Sequence, residues 1–365
     1  MATDATMGIL PDHLIAELAR SGGIRPVREF AADQIQPASL DLRLGTVAYR
    51  VRASFLPGPK TTVAERIGEL KLHEIGLTNG AVLETNCVYI VPLLESLMLP
   101  ADVSAAANPK SSTGRLDVFT RVIADETRGF DRIRAGYRGP LYAEISPKTF
   151  PILVREGSRL SQIRFRRGQS LLDPDALREL HARERLTDDV DADLTEGIAV
   201  GVDLAGLAPA NLVGYRAKRH TGLIDVEKRD GHPVVDFWEP IAARPDKSLI
   251  LDPDEFYILA SKEAVQVPPD YAAEMVPFDP LVGEFRVHYA GFFDPGFGYA
   301  GAGGRGARAV LEVRSREVPF ILEHGQIVGR LVYERMLSRP KTLYGMGIGS
   351  NYQAQGLKLS KHFRA

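Results

Sequence analysis

Short apolar runs broken by proline, glycine and aspartate fill most of this chain, and two stretches keep helical spacing. Near the start, Leu10, Leu14, Ile15 and Leu18 recur at that spacing. Pro11 and Asp12 suit a first turn there, and Gly22–Gly23 an end. A second helix is predicted over 173–186, with Asp173 as its cap and Pro174 at its first position. IQPASLDLRLG (35–45) alternates apolar and polar residues, which predicts a half-buried strand. CVYIVPL, VFTRVIA, PLYAEI and QIRF are further β-type runs, so the pattern predicts a mostly β protein of barrel or sandwich type. The acidic tract TDDVDADLTEG (187–197) reads as an exposed linker.

The pattern also repeats. Placing Val82-to-Phe165 beneath Ile250-to-Tyr333 sets Tyr89 on Tyr257, Pro100 on Pro268 and Lys110 on Phe278 without a gap. Farther on, Glu144 falls on Glu312, Pro151 on Pro319 and Gly157 on Gly325. Two copies of one β-rich domain are expected, over 1–195 and 196–365. The alternative is one large β fold with accidental similarity.

Composition narrows the function classes. The 365 residues are 44% hydrophobic and 25% charged with a net charge of −2, so any anion site must be local. No general pull toward nucleic acid or a membrane surface is expected. No apolar run reaches membrane-spanning length, and the N-terminus lacks the basic-then-apolar order of a signal peptide. The one cysteine, Cys87, excludes an internal disulfide and fits a reducing cytoplasm. It also leaves no place for the His/Cys/Cys signature of zinc nucleobase deaminases, so deamination by this chain would proceed without zinc.

The run NPKSSTGRLDV (108–118) carries the clearest chemistry. Lys110, Ser111, Ser112 and Arg115 offer hydroxyl, amide and cationic donors around one point, as a phosphate cradle does. Its counterpart in the second half, VPFDPLVGEFR (276–286), has lost that chemistry. Phe278 is apolar, Asp279 repels phosphate and Pro280 lacks an N–H.

Taken together, IQPASLDLRLG, PKSSTGRLDVFTRVIA, a following glycine–aromatic turn and a strand ending in Glu144 resemble the dCTP deaminase family, relatives of the trimeric dUTPases. The resemblance implies dUTPase-like β-barrel or jelly-roll domains. It assigns the phosphates to an Arg-Ser-Ser-x-x-Arg segment, with Lys110 here in place of the first arginine. AGFFDPGF (290–297) is similar to the family's Asp-Pro-Gly turn beside sugar and base, which points to Asp294. ARAVLEV (307–313) resembles the strand of the catalytic glutamate, which lands on Glu312. Main-chain groups at Val310 and Leu311 are then expected to read the base. SNYQAQGLKLSKHF resembles the family's C-terminal tail, implicating Tyr352 and Gln355, with Tyr344 upstream.

Each half is thus degenerate in a different motif, and the intact motifs form one set. The resemblance implies hydrolytic deamination of dCTP to dUTP and ammonia, a homo-oligomer, Mg²⁺ carried on the triphosphate, and feedback by dTTP. It makes Glu312 the proton shuttle, with Ser111 and Arg115 positioning the attacking water. Rival readings remain for several residues. Glu312 could pair with Arg314 or Arg316, and Arg115 with Asp117. Glu144 reads as structural or vestigial, Asp41 as structural and Trp238 as core. KRH (218–220) reads as a solvated face and GYAGAGGRG (298–306) as a flap. A dUTPase, a bifunctional enzyme releasing dUMP, and a nucleotide-binding regulator without turnover are the functional alternatives.

Overall fold

The computed structural model describes residues 6–207, 211–277, 285–287, 291–302, 306–315, 317–345 and 356–364. Strands dominate, and each half is built from antiparallel sheets packed face to face around apolar side chains. In the first half one sheet runs Gly8–Ile9, Ser161–Arg167, Val103–Pro109, Arg132–Ile133. The second half repeats that order with Ile198–Gly201, Ile327–Arg335, Tyr271–Pro277, Phe292–Phe293. The other large sheet runs Lys71–Gly76, Val47–Val51, Val88–Met98, Arg138–Pro147, Val118–Ala124. Its counterpart runs Trp238–Ala242, Leu212–Ala217, Phe256–Val265, Ala307–Ser315, Phe285–Val287. Small details recur too. The Tyr89 hydroxyl accepts from the Glu84 N–H at 3.1 Å, and the Tyr257 hydroxyl from the Asp252 N–H at 3.0 Å.

The halves are not separate bodies. Ile224–Asp225, from the second half, pairs in parallel with Ile152–Val154 of the first. Trp238, Phe256 and Phe363 join the first-half core against Phe150, so Trp238 is the core residue its setting predicts. A second apolar cluster fills the other half, and the helix Pro174–Glu184 buries Leu177 and Leu180 in it. That helix starts as predicted, with the Asp173 carboxylate accepting from the Ala176 N–H at 2.8 Å. The N-terminal helix spans Asp12–Arg20.

Two local expectations are corrected, and one helix is added. Only Leu40–Leu42 of 35–45 forms a strand, and it is buried on both faces, polar residues included. Arg43 escapes the desolvation cost by bonding Glu95 at 2.8 Å, and Asp41 by pairing with Lys110. The tract 187–197 is a docked strap. Thr187 is buried, Asp188 accepts from the Ala264 N–H at 2.8 Å, and Asp193 pairs with Arg330 at 2.8 Å. An extra helix, Val63–Leu70, carries a capping box between Thr62 and Glu65 that TVAE in the sequence could have signalled.

Candidate active site

The strand Val103–Pro109 delivers the phosphate-type run to the junction of the halves. Pro109 pairs with Ser161, and the Lys110 N–H bonds the Leu160 carbonyl at 2.9 Å. A single helical turn, Ser111–Gly114, follows, with the Lys110 carbonyl accepting from Thr113 at 2.8 Å and Gly114 at 3.0 Å. Asp117 then takes a left-handed φ of 55°, which aspartate tolerates, and the chain reverses into Val118–Ala124. Lys110, Ser111, Ser112 and Arg115 all line one cavity of about 650 Å³.

The second half supplies the opposite wall. Along Ala307–Ser315 side chains alternate, so Val310 and Glu312 line the cavity while Leu311 is buried in the second-half core. Leu311 can therefore meet a ligand only through its main chain. Phe285–Val287 pairs with this strand at 313–315, so among the described residues no strand covers that edge at 310–312. Asp294 and Tyr344 line the same cavity. The Tyr344 N–H bonds the Pro295 carbonyl at 2.8 Å and its ring packs on Phe297 at 5.8 Å. Tyr352 and Gln355 lie outside the described residues.

Glu312 is 4% exposed, and its Oε1 stands 3.8 Å from Arg115 Nε. Burial pushes its carboxyl up to about 8, and the Arg115 charge opposes the rise. The acid is therefore mostly protonated at neutral pH. The 3.8 Å separation exceeds a hydrogen bond, so the two groups attract across a gap instead of closing it. Of the rival partners, Arg314 reaches Asp117 and Thr149, and Arg316 lies outside the described residues. Glu144, at the matching position of the first half, meets Arg121 at 2.6 Å, with that guanidinium stacked on Phe119 and Phe130. It is a closed ion pair and does not line the cavity.

Several contacts at the cavity escaped the sequence reading. Asp41, expected to be only structural, lines the cavity and holds the Lys110 ammonium, with Arg159 3.6 Å from the same carboxylate. Arg164, 0% exposed, reaches out of the first half to bond the Ala273 carbonyl at 3.0 Å and Asp294 at 3.1 Å. It also lies over the Phe292 ring at 4.1 Å. Burial raises the Asp294 carboxyl above its ordinary value, and the Arg164 charge pulls it back. The C-terminal segment packs beside the Ser111–Gly114 turn. Arg115 donates to the Lys358 carbonyl at 2.8 Å, and Ser360 Oγ to the Ser112 carbonyl at 2.8 Å. Neither Arg164 nor the cavity contacts of Asp41 were visible in the sequence, because their partners lie tens of residues or more away.

A sequence model described as the 2'-deoxycytidine 5'-triphosphate deaminase N-terminal domain matches residues 6–169, and one described as the C-terminal domain of the same family matches 173–363. The chain belongs to the dCTP deaminase family. A solved structure titled 2'-deoxycytidine 5'-triphosphate deaminase from Agrobacterium tumefaciens is 64% identical, with a TM-score of 0.88 over 91% of this chain and 100% of that one. A dCTP deaminase, dUMP-forming, from Methanoculleus marisnigri is 34% identical over 44% of this chain and 80% of its own length. A dCTP deaminase from Halorubrum lacusprofundi is 30% identical over 36% of this chain and 63% of its own. Within the dCTP deaminase family, this chain brings the phosphate-type turn of one half and the buried carboxyl of the other into a single cavity. Both come from the same polypeptide.

Proposed function

We propose that this protein hydrolyses dCTP to dUTP and ammonia, within a chain made of two dUTPase-like copies divided as 1–195 and 196–365. The observation that carries this is the facing pair Arg115 and Glu312 beside the Ser111–Ser112 turn, in a cavity with room for a nucleotide.

The turn and its cations take the phosphate tail, and Asp294 and Tyr344 lie toward the sugar. Mg²⁺ would arrive on the phosphate oxygens, where it neutralises closely spaced charge; Lys110 and the Ser111–Ser112 turn suit those oxygens as donors. Protonated Glu312 gives its proton to N3 of cytosine, which makes C4 electrophilic. The carboxylate so formed takes a proton from the water held by Ser111 and Arg115 as its oxygen bonds to C4. Glu312 then protonates the amino group, the C4–N4 bond breaks and ammonia leaves. Loss of the added hydroxyl's proton to Glu312 leaves uracil and restores the acid. Main-chain groups at 310–311 read the base edge.

The first step needs the acid form, so activity should fall as pH rises through about 8, where Glu312 ionises. Arg115→Gln should lower kcat about 10- to 100-fold. It should also shift that alkaline limb to higher pH, since removing a cation raises a neighbouring carboxyl's pKa. A pH–rate profile of both proteins checks this.

Incubation with dCTP, with ammonia and pyrophosphate assayed separately, tests the reaction. Ammonia alone supports the proposal. Equal amounts of both would favour release of dUMP, the outcome named for the Methanoculleus marisnigri relative. Pyrophosphate released from dUTP, with no ammonia from dCTP, would indicate a dUTPase. Binding without either product would make the chain a regulator. Feedback by dTTP and assembly into a homo-oligomer belong to the same reading; inhibition assays and sedimentation test them.

A further inference from the structure

Asp12 sits in the first turn of the N-terminal helix, and its carboxylate bonds a segment of the second half. Oδ1 accepts from the Lys341 N–H at 3.0 Å and from the His13 N–H at 2.7 Å. Oδ2 accepts from the Thr342 N–H at 3.0 Å and from the Thr342 hydroxyl at 2.7 Å. Burial pushes this carboxyl up, but the bonds from Lys341, Thr342 and His13 outweigh it and hold the pKa below its ordinary value. Asp12 is therefore charged at neutral pH, the form in which both oxygens accept. The helix fixes its place. Ile15 and Leu18 are buried in the first-half core, and the Asp12 N–H bonds the Pro37 carbonyl at 3.0 Å. Pro37 lines the cavity.

Facing it, residues 338–345 form a strap that carries Tyr344 to the cavity. The strap is tied at its start. The Leu337 N–H bonds the Ile9 carbonyl at 2.8 Å, Ser338 Oγ lies 3.2 Å from His13 Nε2, and Arg339 grips Asp270 at 2.9 and 2.6 Å. Its end lies directly on the Asp294–Pro295–Gly296 turn. A Cβ at Gly296, where φ is +100°, would stand 2.9 Å from both the Leu343 Cβ and the Tyr344 nitrogen, so glycine is what permits the approach. Lys341 and Thr342 are exposed, and water would satisfy their N–H groups without Asp12. The carboxylate is thus not rescuing buried donors. What it sets is the spacing between the Pro37 wall of the first half and the Tyr344 wall of the second.

We propose that Asp12 is a positioning residue for the nucleotide, bracing the two walls so that Tyr344 and the Asp294 turn meet the ligand in register. Asp12, Lys341 and Thr342 do not line the cavity, so their influence passes through Tyr344. This rests on the dCTP deaminase reading and adds to it a contribution from the N-terminal helix.

The full chain carrying Asp12→Ala, Thr342→Val, Tyr344→Ala or Asp12→Ala with Tyr344→Ala tests this, by dCTP kinetics and by hydrogen exchange of the amides at 341–344. Asp12→Ala should raise KM for dCTP about 5- to 10-fold, leave kcat within about twofold and speed exchange at 341–344. Thr342→Val removes one bond from the strap side without touching the helix, and should act in the same direction more weakly. In the Tyr344→Ala background, Asp12→Ala should change KM by no more than about twofold, because the residue it positions is gone. Native KM in Asp12→Ala would overturn the proposal. So would an undiminished effect of Asp12→Ala in the Tyr344→Ala background, which would make Asp12 a support of the fold alone. If Asp12→Ala does not fold, native KM and native exchange in Thr342→Val overturn it instead. Faster exchange at 341–344 in Asp12→Ala, with no ammonia released from dCTP by the native chain, would leave the brace standing and remove the deamination reading.

Discussion

Replacing Glu312 with Gln should lower kcat for ammonia release by about three to four orders of magnitude while dCTP still binds. Glutamine keeps the shape but can neither give nor take the protons that N3, water and the amino group exchange. Single-turnover ammonia assays beside calorimetric dCTP titration would show the split. Wild-type turnover in the variant would remove Glu312 from the mechanism. Stability supplies a second readout. The folded-state pKa of Glu312 lies above its unfolded value, so its contribution is fully present below about 4.5 and is lost as pH rises through about 8. Glutamine has no such loss. The melting temperature of Glu312→Gln, relative to the native chain, should therefore climb between pH 5 and pH 8.

Arg164→Met should cost about 3–5 kcal/mol of stability, since it strands a buried carboxylate. Asp294 would lose its partner at 3.1 Å, Glu334 a cation 3.7 Å away, and the Ala273 carbonyl its donor. Glu334 keeps Arg166 at 3.2 Å and Ser170 at 2.6 Å, so the larger share falls on Asp294. Calorimetric melting checks the loss. The deficit should shrink at low pH, because burial already raises the Asp294 pKa and protonation would relieve the stranded charge. Adding Asp294→Asn should recover much of the stability but not the KM for dCTP. An Arg164→Met protein as stable as the native one would mean the guanidinium contributes nothing at the junction.

The broken apolar runs expose the β architecture directly, because strand pairing here follows local alternation. The phosphate-type run was legible for a similar reason: its donors lie within eight residues of one another in sequence. The burial and pairing of Asp41 and Arg43 were not legible in the alternating run 35–45, because nothing local distinguishes a hydrated charge from a paired one. Their partners, Lys110 and Glu95, lie on other strands. Arg164 lies in QIRF, a short β-type run with no local mark of its role, yet it crosses into the other half. The C-terminal residues singled out in the sequence, Tyr352 and Gln355, lie outside the described residues; farther on, Phe363–Arg364 pairs with His232–Pro233, an association of two short stretches with no intrinsic strand pattern.

The one-chain cavity has a consequence for handling the enzyme. A pocket assembled from separate subunits empties on dilution, because mass action dissolves the contact that builds it. Here the two walls are tethered by peptide bonds and by a common apolar core. Dilution alone should thus leave these two walls facing each other, whatever larger assembly the chain enters.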